Sequence, residues 1–228
     1  MTTALVTGAN KGIGLAIVKQ LLDTGMTVYL GARDTERGEK AAADTGARFV
    51  QLDVTDQESV RRAAASLEHL DVLVNNAGVV GGGRAQEPGS VHLDDVRKAF
   101  ETNVFGVITV IDAMLPLLRA SEHGRIVNVS SITGSLTGMF AADDYPTAVG
   151  YSPSKTALNA VTLMYAKALK HTPIKVNVVC PGYCATDLNH HQGVRTPAQG
   201  ARIAVEMATL GDDGPTGGFY DDNGVIAW

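Results

Sequence analysis

Cysteine is nearly absent: the 228 residues contain two, Cys180 and Cys184. That excludes a disulfide-framed scaffold and a four-cysteine zinc site. Aromatic residues make up only 5% against 45% hydrophobic, so the core has to be built from Ala, Val, Leu and Ile. No apolar run approaches the ~18 residues of a membrane span, and no membrane partner is expected. Charge of either sign is unclustered, and the formal net charge is −5. A mildly acidic chain without a basic block is poorly suited to holding a nucleic-acid backbone. The opening MTTALVTGAN has no charged-then-apolar leader pattern, so a soluble protein of the reducing cytoplasm is expected. Repeats, low-complexity stretches and linkers are missing too, which points to one domain over 1–228 with room for a large core.

What is present is alternation. Val-rich runs at 3–7, 27–32, 48–52, 71–75, 125–130 and 174–179 mostly lack a polar alternate, as strands covered on both faces do. Helical patterns at 12–24, 56–69, 92–119, 150–170 and 197–209 lie between or after them. Gly25 and Pro173 mark ends, Pro197 a first turn, and Pro116 predicts a bend or break late in 92–119. Strand and helix in turn predict a parallel sheet of about seven strands with helices on both faces, its last strand short and near 218–220.

Four features carry chemistry. Gly8-Ala9-Asn10-Lys11-Gly12-Ile13-Gly14 follows the first strand and opens the first helix. Glycines there allow a tight turn and close approach of a pyrophosphate to the helix N-terminus. The second strand ends Ala32-Arg33. An acidic residue at that position would hold ribose hydroxyls, whereas Arg33, with Lys11, can grip a 2′-phosphate, so NADP(H) is expected over NAD(H). Asp34 can instead pair with Arg33 or cap the next helix. Tyr151 and Lys155, four residues apart, share a helix face, and a neighbouring ammonium should lower the phenol's pKa towards working pH. Ser130-Ser131 close the fifth strand, at the sheet edge where such folds bind ligands, and a hydroxyl there can polarise a substrate oxygen.

Together with Asn75-Asn76-Ala77-Gly78, Asn103 and Pro181-Gly182…Thr186, these motifs resemble the short-chain dehydrogenase/reductase family along essentially the whole chain. The resemblance implies a Rossmann-type, three-layer α/β/α doubly wound sheet. It implies that Tyr151 exchanges a proton with a carbonyl or alcohol oxygen, that Lys155 depresses the tyrosine pKa and binds the nicotinamide ribose, and that Ser131 orients the carbonyl. Asn103 would hold a water in a relay with Lys155. Asn76, with Ala77 and Gly78, would lie near the cofactor, Asp53-Val54 against adenine, and Pro181-Gly182 and Thr186 beside the nicotinamide amide. Within the family, the stretches 7–18, 32–34 and 71–78 and the tail Gly214-Pro215…Gly218-Phe219…Trp228 are most similar to the NADPH-dependent carbonyl reductases. These imply an aldehyde or ketone substrate. Monomeric animal members carry a long insertion between serine and tyrosine; here the two are 20 positions apart, and a homo-oligomer is expected over a monomer. Segment 132–149, with Met139, Phe140, Asp143 and Asp144, is expected to wall the substrate mouth.

An imine reductase, a lyase on the same fold, and a non-catalytic nucleotide sensor remain as alternatives. The segment after Thr186 is short, which predicts an open site unless loop 79–90 or the tail covers it. His190-His191, taken as extended chain, would point apart, and no metal is expected. Cys180 reads as a small buried residue and Cys184 as an incidental thiol.

Overall fold

The structure, a computed structural model, describes residues 1–82, 88–141 and 147–228. Strands β1 (Thr3–Thr7), β2 (Thr27–Ala32), β3 (Arg48–Gln51), β4 (Val72–Asn75), β5 (Arg125–Val129) and β6 (Lys175–Val179) lie within one residue of the predicted runs. They are parallel, in the order β3-β2-β1-β4-β5-β6, and the order reverses between β1 and β4. Their C-terminal ends therefore share one edge, with the crevice at the reversal. Gly8, Arg33, Asp53, Asn76, Ser131 and Pro181 all lie at that edge, whereas Tyr151 and Lys155 come from a helix and Asn103 from a helical turn.

The expectation of about seven strands is one short. β7 (Phe219–Asp221) runs parallel to β6, and β8 (Gly224–Val225) returns antiparallel to it, pairing Tyr220 with Val225. A two-residue strand behind an Asp222-Asn223 turn has no hydrophobic period to read.

Alternate strand residues feed two cores, as the pleat requires. Ala4 and Val6 of β1 face helices α1 (Gly12–Asp23), α2 (Thr35–Thr45) and α8 (Pro197–Ala208). Leu5 faces α3 (Gln57–Ala65), α5 (Gly106–Ala120) and α7 (Tyr151–Ala168). β4 and β5 are buried at every position, which is why they lack an apolar–polar alternation; their polar side chains are bonded internally, Asn75 to Asn128, Asn128 to Thr162 and Arg125 to Leu210 O. Helix α2 had no apolar stripe to announce it, since only Gly38, Ala41 and Ala42 are buried. Asp34 caps it by accepting from Arg37 N at 3.0 Å.

Of the bend or break expected at Pro116, no break occurs. Helix α5 runs on to Ala120 with Pro116 inside it. Pro116 and Asp112 are both exposed, so the Asp112 carbonyl that lacks an amide partner faces water. The irregularity lies earlier: α4 (Leu93–Phe100) enters α5 through a π-helical turn, Glu101–Phe105. The continuous stretch Leu93–Ala120 is long and apolar enough to cross a membrane by length and composition alone. Its Val107, Val110, Ile111, Met114 and Leu118 are buried against the sheet, as in a core helix. The remaining helix, α6 (Leu136–Ala141), follows the serine turn.

Candidate active site

The glycine turn is shaped by two close approaches. Gly8 has φ +61°, and a Cβ there would stand 2.8 Å from Ala77 Cα. A Cβ on Gly14 would overlap the Asn76 amide, which donates to Thr7 O at 3.0 Å and Gly8 O at 3.1 Å. Thr7 Oγ1 in turn accepts from Asn76 N and Ala77 N, each at 3.0 Å, so the ends of β1 and β4 are tied together beside the turn. Lys11 is the N-cap of α1 without a side-chain cap bond, and the first turn has no acidic residue. Its amides and the positive end of the helix dipole are thus presented to an anion. A cradle that a Cβ would fill, opening on unpaired helix amides, fits a pyrophosphate. Asn10 and Ile13 flank it, half-buried.

Thr186 crosses to this turn: a Cβ on Gly12 would lie 3.5 Å from its methyl. The next residue, Asp187, pairs with Lys11 Nζ at 2.5 Å. Arg33 is exposed at the end of β2 and has no ion-pair partner among the described residues; Asp34 pairs with Arg37 at 3.5 Å instead. Asp53 Oδ1 accepts from Thr55 N at 2.9 Å and Thr55 Oγ1 at 2.7 Å. The Val54 side chain turns into the core, where a Cβ on Gly106 would meet it at 2.9 Å. Both residues therefore offer an adenine ring chiefly the backbone of their turn.

The second cluster forms where α7 begins. Lys155 Nζ lies 5.8 Å from the centre of the Tyr151 ring and donates to Val129 O at 2.9 Å. Ser131 follows β5 and hydrogen-bonds the phenol. Its hydroxyl also accepts from Thr133 N at 3.3 Å and Thr133 Oγ1 at 3.1 Å. Burial pushes the Tyr151 phenol up to about 12, with a smaller push from the Cys180 sulfur, while the Ser131 bond pulls it down. The lowered phenol expected from Lys155 is thus reversed in this structure. Desolvation disfavours phenolate, and it equally disfavours ammonium, taking Lys155 down to about 8.

Asn103 lies in the π-helical turn, fully buried. Its Oδ1 accepts from Val79 N, and its Nδ2 donates to Val79 O and to Ser154 Oγ, all at 2.9 Å. Both amide hydrogens hold protein groups, so the side chain ties the loop after β4 to α7. It approaches Lys155 across Gly78, where a Cβ would be 3.3 Å from Asn103 Oδ1 and 3.5 Å from Lys155 Nζ.

Sequence reasoning passed over several residues. Ser154 lies inside the Tyr-x-x-x-Lys motif yet carries no signal of its own; its hydroxyl links Asn103 to Tyr151 O at 2.6 Å. Thr7 is visible only as the residue before the glycine turn. Arg195 covers Gly182, which has φ +73°, and pairs with Asp222, so the segment holding Pro181-Gly182 is pinned to the tail. The reading of His190-His191 as extended chain is corrected. Both have positive φ, 53° and 60°, and His191 Nε2 meets Asp187 Oδ1 at 2.9 Å. Cys180 and Cys184 are free and buried, with burial raising both thiols. Of the expected substrate wall, Met139 borders a groove between α6 and α7, while Asp143 and Asp144 lie outside the described residues.

The family model described as short chain dehydrogenase matches residues 2–195. Salutaridine reductase of Papaver bracteatum is 33% identical in an alignment covering all of this chain and 96% of that one. Human carbonyl reductase (NADPH) 1 is 32% identical, covering 99% of this chain and 98% of its own. Among solved structures, an NADPH-bound carbonyl reductase from chicken fatty liver superposes with a TM-score of 0.87 at 29% identity, covering 100% of this chain and 99% of that one.

Proposed function

The chain belongs to the short-chain dehydrogenases, as an oxidoreductase acting between alcohol and carbonyl, and on that premise we propose that it reduces aldehydes or ketones with NADP(H), Tyr151 serving as the proton donor. The observation that carries this reading is that the Tyr151 phenol is hydrogen-bonded to the Ser131 hydroxyl and has Lys155 Nζ 5.8 Å from its ring, beside Gly78 of the segment whose Ala77 packs on Gly8 of the glycine turn. Bound NADPH supplies the hydride. Gly8, Gly12 and Gly14 with the α1 amides hold its pyrophosphate, and Arg33 its 2′-phosphate; two of the three named relatives carry NADPH in their names. Asn76, Ala77, Gly78, Pro181, Gly182 and Thr186 would border the rest of the cofactor.

Ser131 orients the carbonyl by donating to its oxygen. Tyr151, kept protonated by burial, is ready to donate at neutral pH. An alkoxide is far more basic than a phenol, so the transfer runs downhill even from a phenol raised to about 12. Lys155 then stands 5.8 Å from the ring that has become anionic and stabilises it.

The natural test is purified protein with a panel of aldehydes, ketones and diketones, followed by NADPH absorbance. Turnover that disappears in Tyr151→Phe while NADPH still binds supports the reading; tight NADPH binding without turnover on any carbonyl sinks it in favour of a nucleotide sensor. We further propose a single-domain cytoplasmic protein, free of membrane and nucleic-acid partners, that self-associates. Support for self-association comes from an apolar groove of about 350 Å³ bordered by Leu136, Met139, Pro153 and Ala157, and from exposed Phe105 and Met164. Sedimentation at two concentrations decides the oligomeric state.

A further inference from the structure

The turn that carries Ser131 is held from two sides. On one side, Asn159 Nδ2 of α7 donates to Gly134 O at 3.1 Å, and a Cβ on Gly134 would stand 3.0 Å from Lys155 Cβ. On the other side lies the tail. The β7–β8 return brings Ile226 N to Phe219 O at 2.7 Å and sends the chain back over the serine turn. There Ser135 Oγ donates to Ala227 O at 2.8 Å, and Thr137 donates to Trp228 O from Oγ1 at 3.1 Å. The Trp228 ring stacks on fully buried Phe219, with centroids 5.6 Å apart at 29°. Ile132, the residue after Ser131, packs with Trp228 and Ile226 against Val178, Cys180 and Phe219. Ser135 itself is buried and also accepts from Gly138 N at 3.0 Å, so its hydroxyl is a junction between the tail and the start of α6.

We infer that residues 226–228 form a clamp that sets the place of the Ser131 hydroxyl, with Trp228 as a positioning residue; this rests on the carbonyl-reductase reading, in which Ser131 orients the substrate. The stack on Phe219 anchors the clamp to the sheet, and two main-chain oxygens of the tail hold Ser135 at the far end of the serine turn and Thr137 at the start of α6. Displacing that turn by about an ångström can cost up to two orders of magnitude in rate while leaving the cofactor's cradle untouched.

The test compares Trp228→Ala, Trp228→Phe, Ser135→Ala and Ser131→Ala with the wild type. Trp228→Ala should lower kcat about tenfold, with the carbonyl KM and NADPH Kd changed by less than about twofold. Trp228→Phe, which keeps a stacking ring, should restore most of kcat. In the Ser131→Ala background, Trp228→Ala should cost less than about twofold, because no hydroxyl remains to be placed. A full additional tenfold loss in that background would mean that Trp228 acts elsewhere, and the proposal fails. Should Trp228→Ala not fold, Ser135→Ala reads the same clamp. Trp228 is the chain's single tryptophan, so its emission reports the tail without cofactor. Ser135→Ala should red-shift that emission and lower kcat; unchanged emission and kcat would overturn the clamp. A wild type without turnover on any carbonyl overturns the underlying reading and the clamp's role together. An active wild type with indifferent tail variants overturns the clamp alone.

Discussion

Asn103 Nδ2 donates to Ser154 Oγ at 2.9 Å, binding the π-helical turn of one helix to the first turn of another. Ser154 Oγ passes the connection to Tyr151 O at 2.6 Å, so the backbone that carries the phenol is fastened to the loop after β4. Position 103 thus acts first on geometry. Asn103→Ala leaves Val79 N, Val79 O and Ser154 Oγ without this partner. At roughly 1–3 kcal/mol for each buried polar group left unpaired, a loss of about 3 kcal/mol in urea unfolding is expected, together with about tenfold lower kcat. Unaltered unfolding would show that the side chain is no tie.

Tyr151→Phe removes the donor and little else. A general acid contributes about 10²- to 10⁴-fold, so kcat for carbonyl reduction should fall within that range while NADPH Kd, read by fluorescence titration, moves by less than about twofold. Residual turnover near the wild-type level would show that another group handles the proton.

Lys155 sets a pH limit on reduction. Its folded pKa lies below the ordinary lysine value, at about 8, so its charge is present below that pH and lost as pH rises through it. The phenol stays protonated well above this point. The kcat/KM for carbonyl reduction should therefore decline on a limb near pH 8 while Tyr151 still holds its proton. The same lowering makes folding stability rise with pH between about 8 and the unfolded lysine value, since there the unfolded chain binds the extra proton. A kcat/KM flat from pH 7 to 10 would exclude the limb.

Arg33 decides between the two nicotinamide cofactors. A charge-assisted hydrogen bond contributes about 1.5–3 kcal/mol, so Arg33→Ala should weaken NADPH by roughly tenfold to a hundredfold and leave NADH nearly unchanged. Calorimetric titration with both cofactors checks this, and equal losses for the two would remove Arg33 from the 2′-phosphate.

Order along the chain was enough to determine the six central parallel strands and the edge where their C-terminal ends meet. A parallel strand buried on both faces is apolar except where a buried polar side chain finds a partner, as Arg125 and Asn128 of β5 do, and the turns at the strands' C-terminal ends face the crevice. Gly8, Arg33, Asn76 and Ser131 were therefore legible as residues of one sheet edge, and Tyr151 by its helical spacing from Lys155. The tertiary structure alone decided their electrostatics and their supports. The sign of the Tyr151 shift depends on how much water burial removes from the phenol, a quantity set by elements distant in the chain. Helix α2 hid because its buried face is Ala and Gly, and the π-helical turn because one extra residue in a helix leaves the apolar period nearly intact. Trp228 and Ser135 lie far apart in sequence, and only the return of β8 brings the tail's carbonyls onto the serine turn. Local pattern records which face of an element is covered; it carries no record of which distant group covers it.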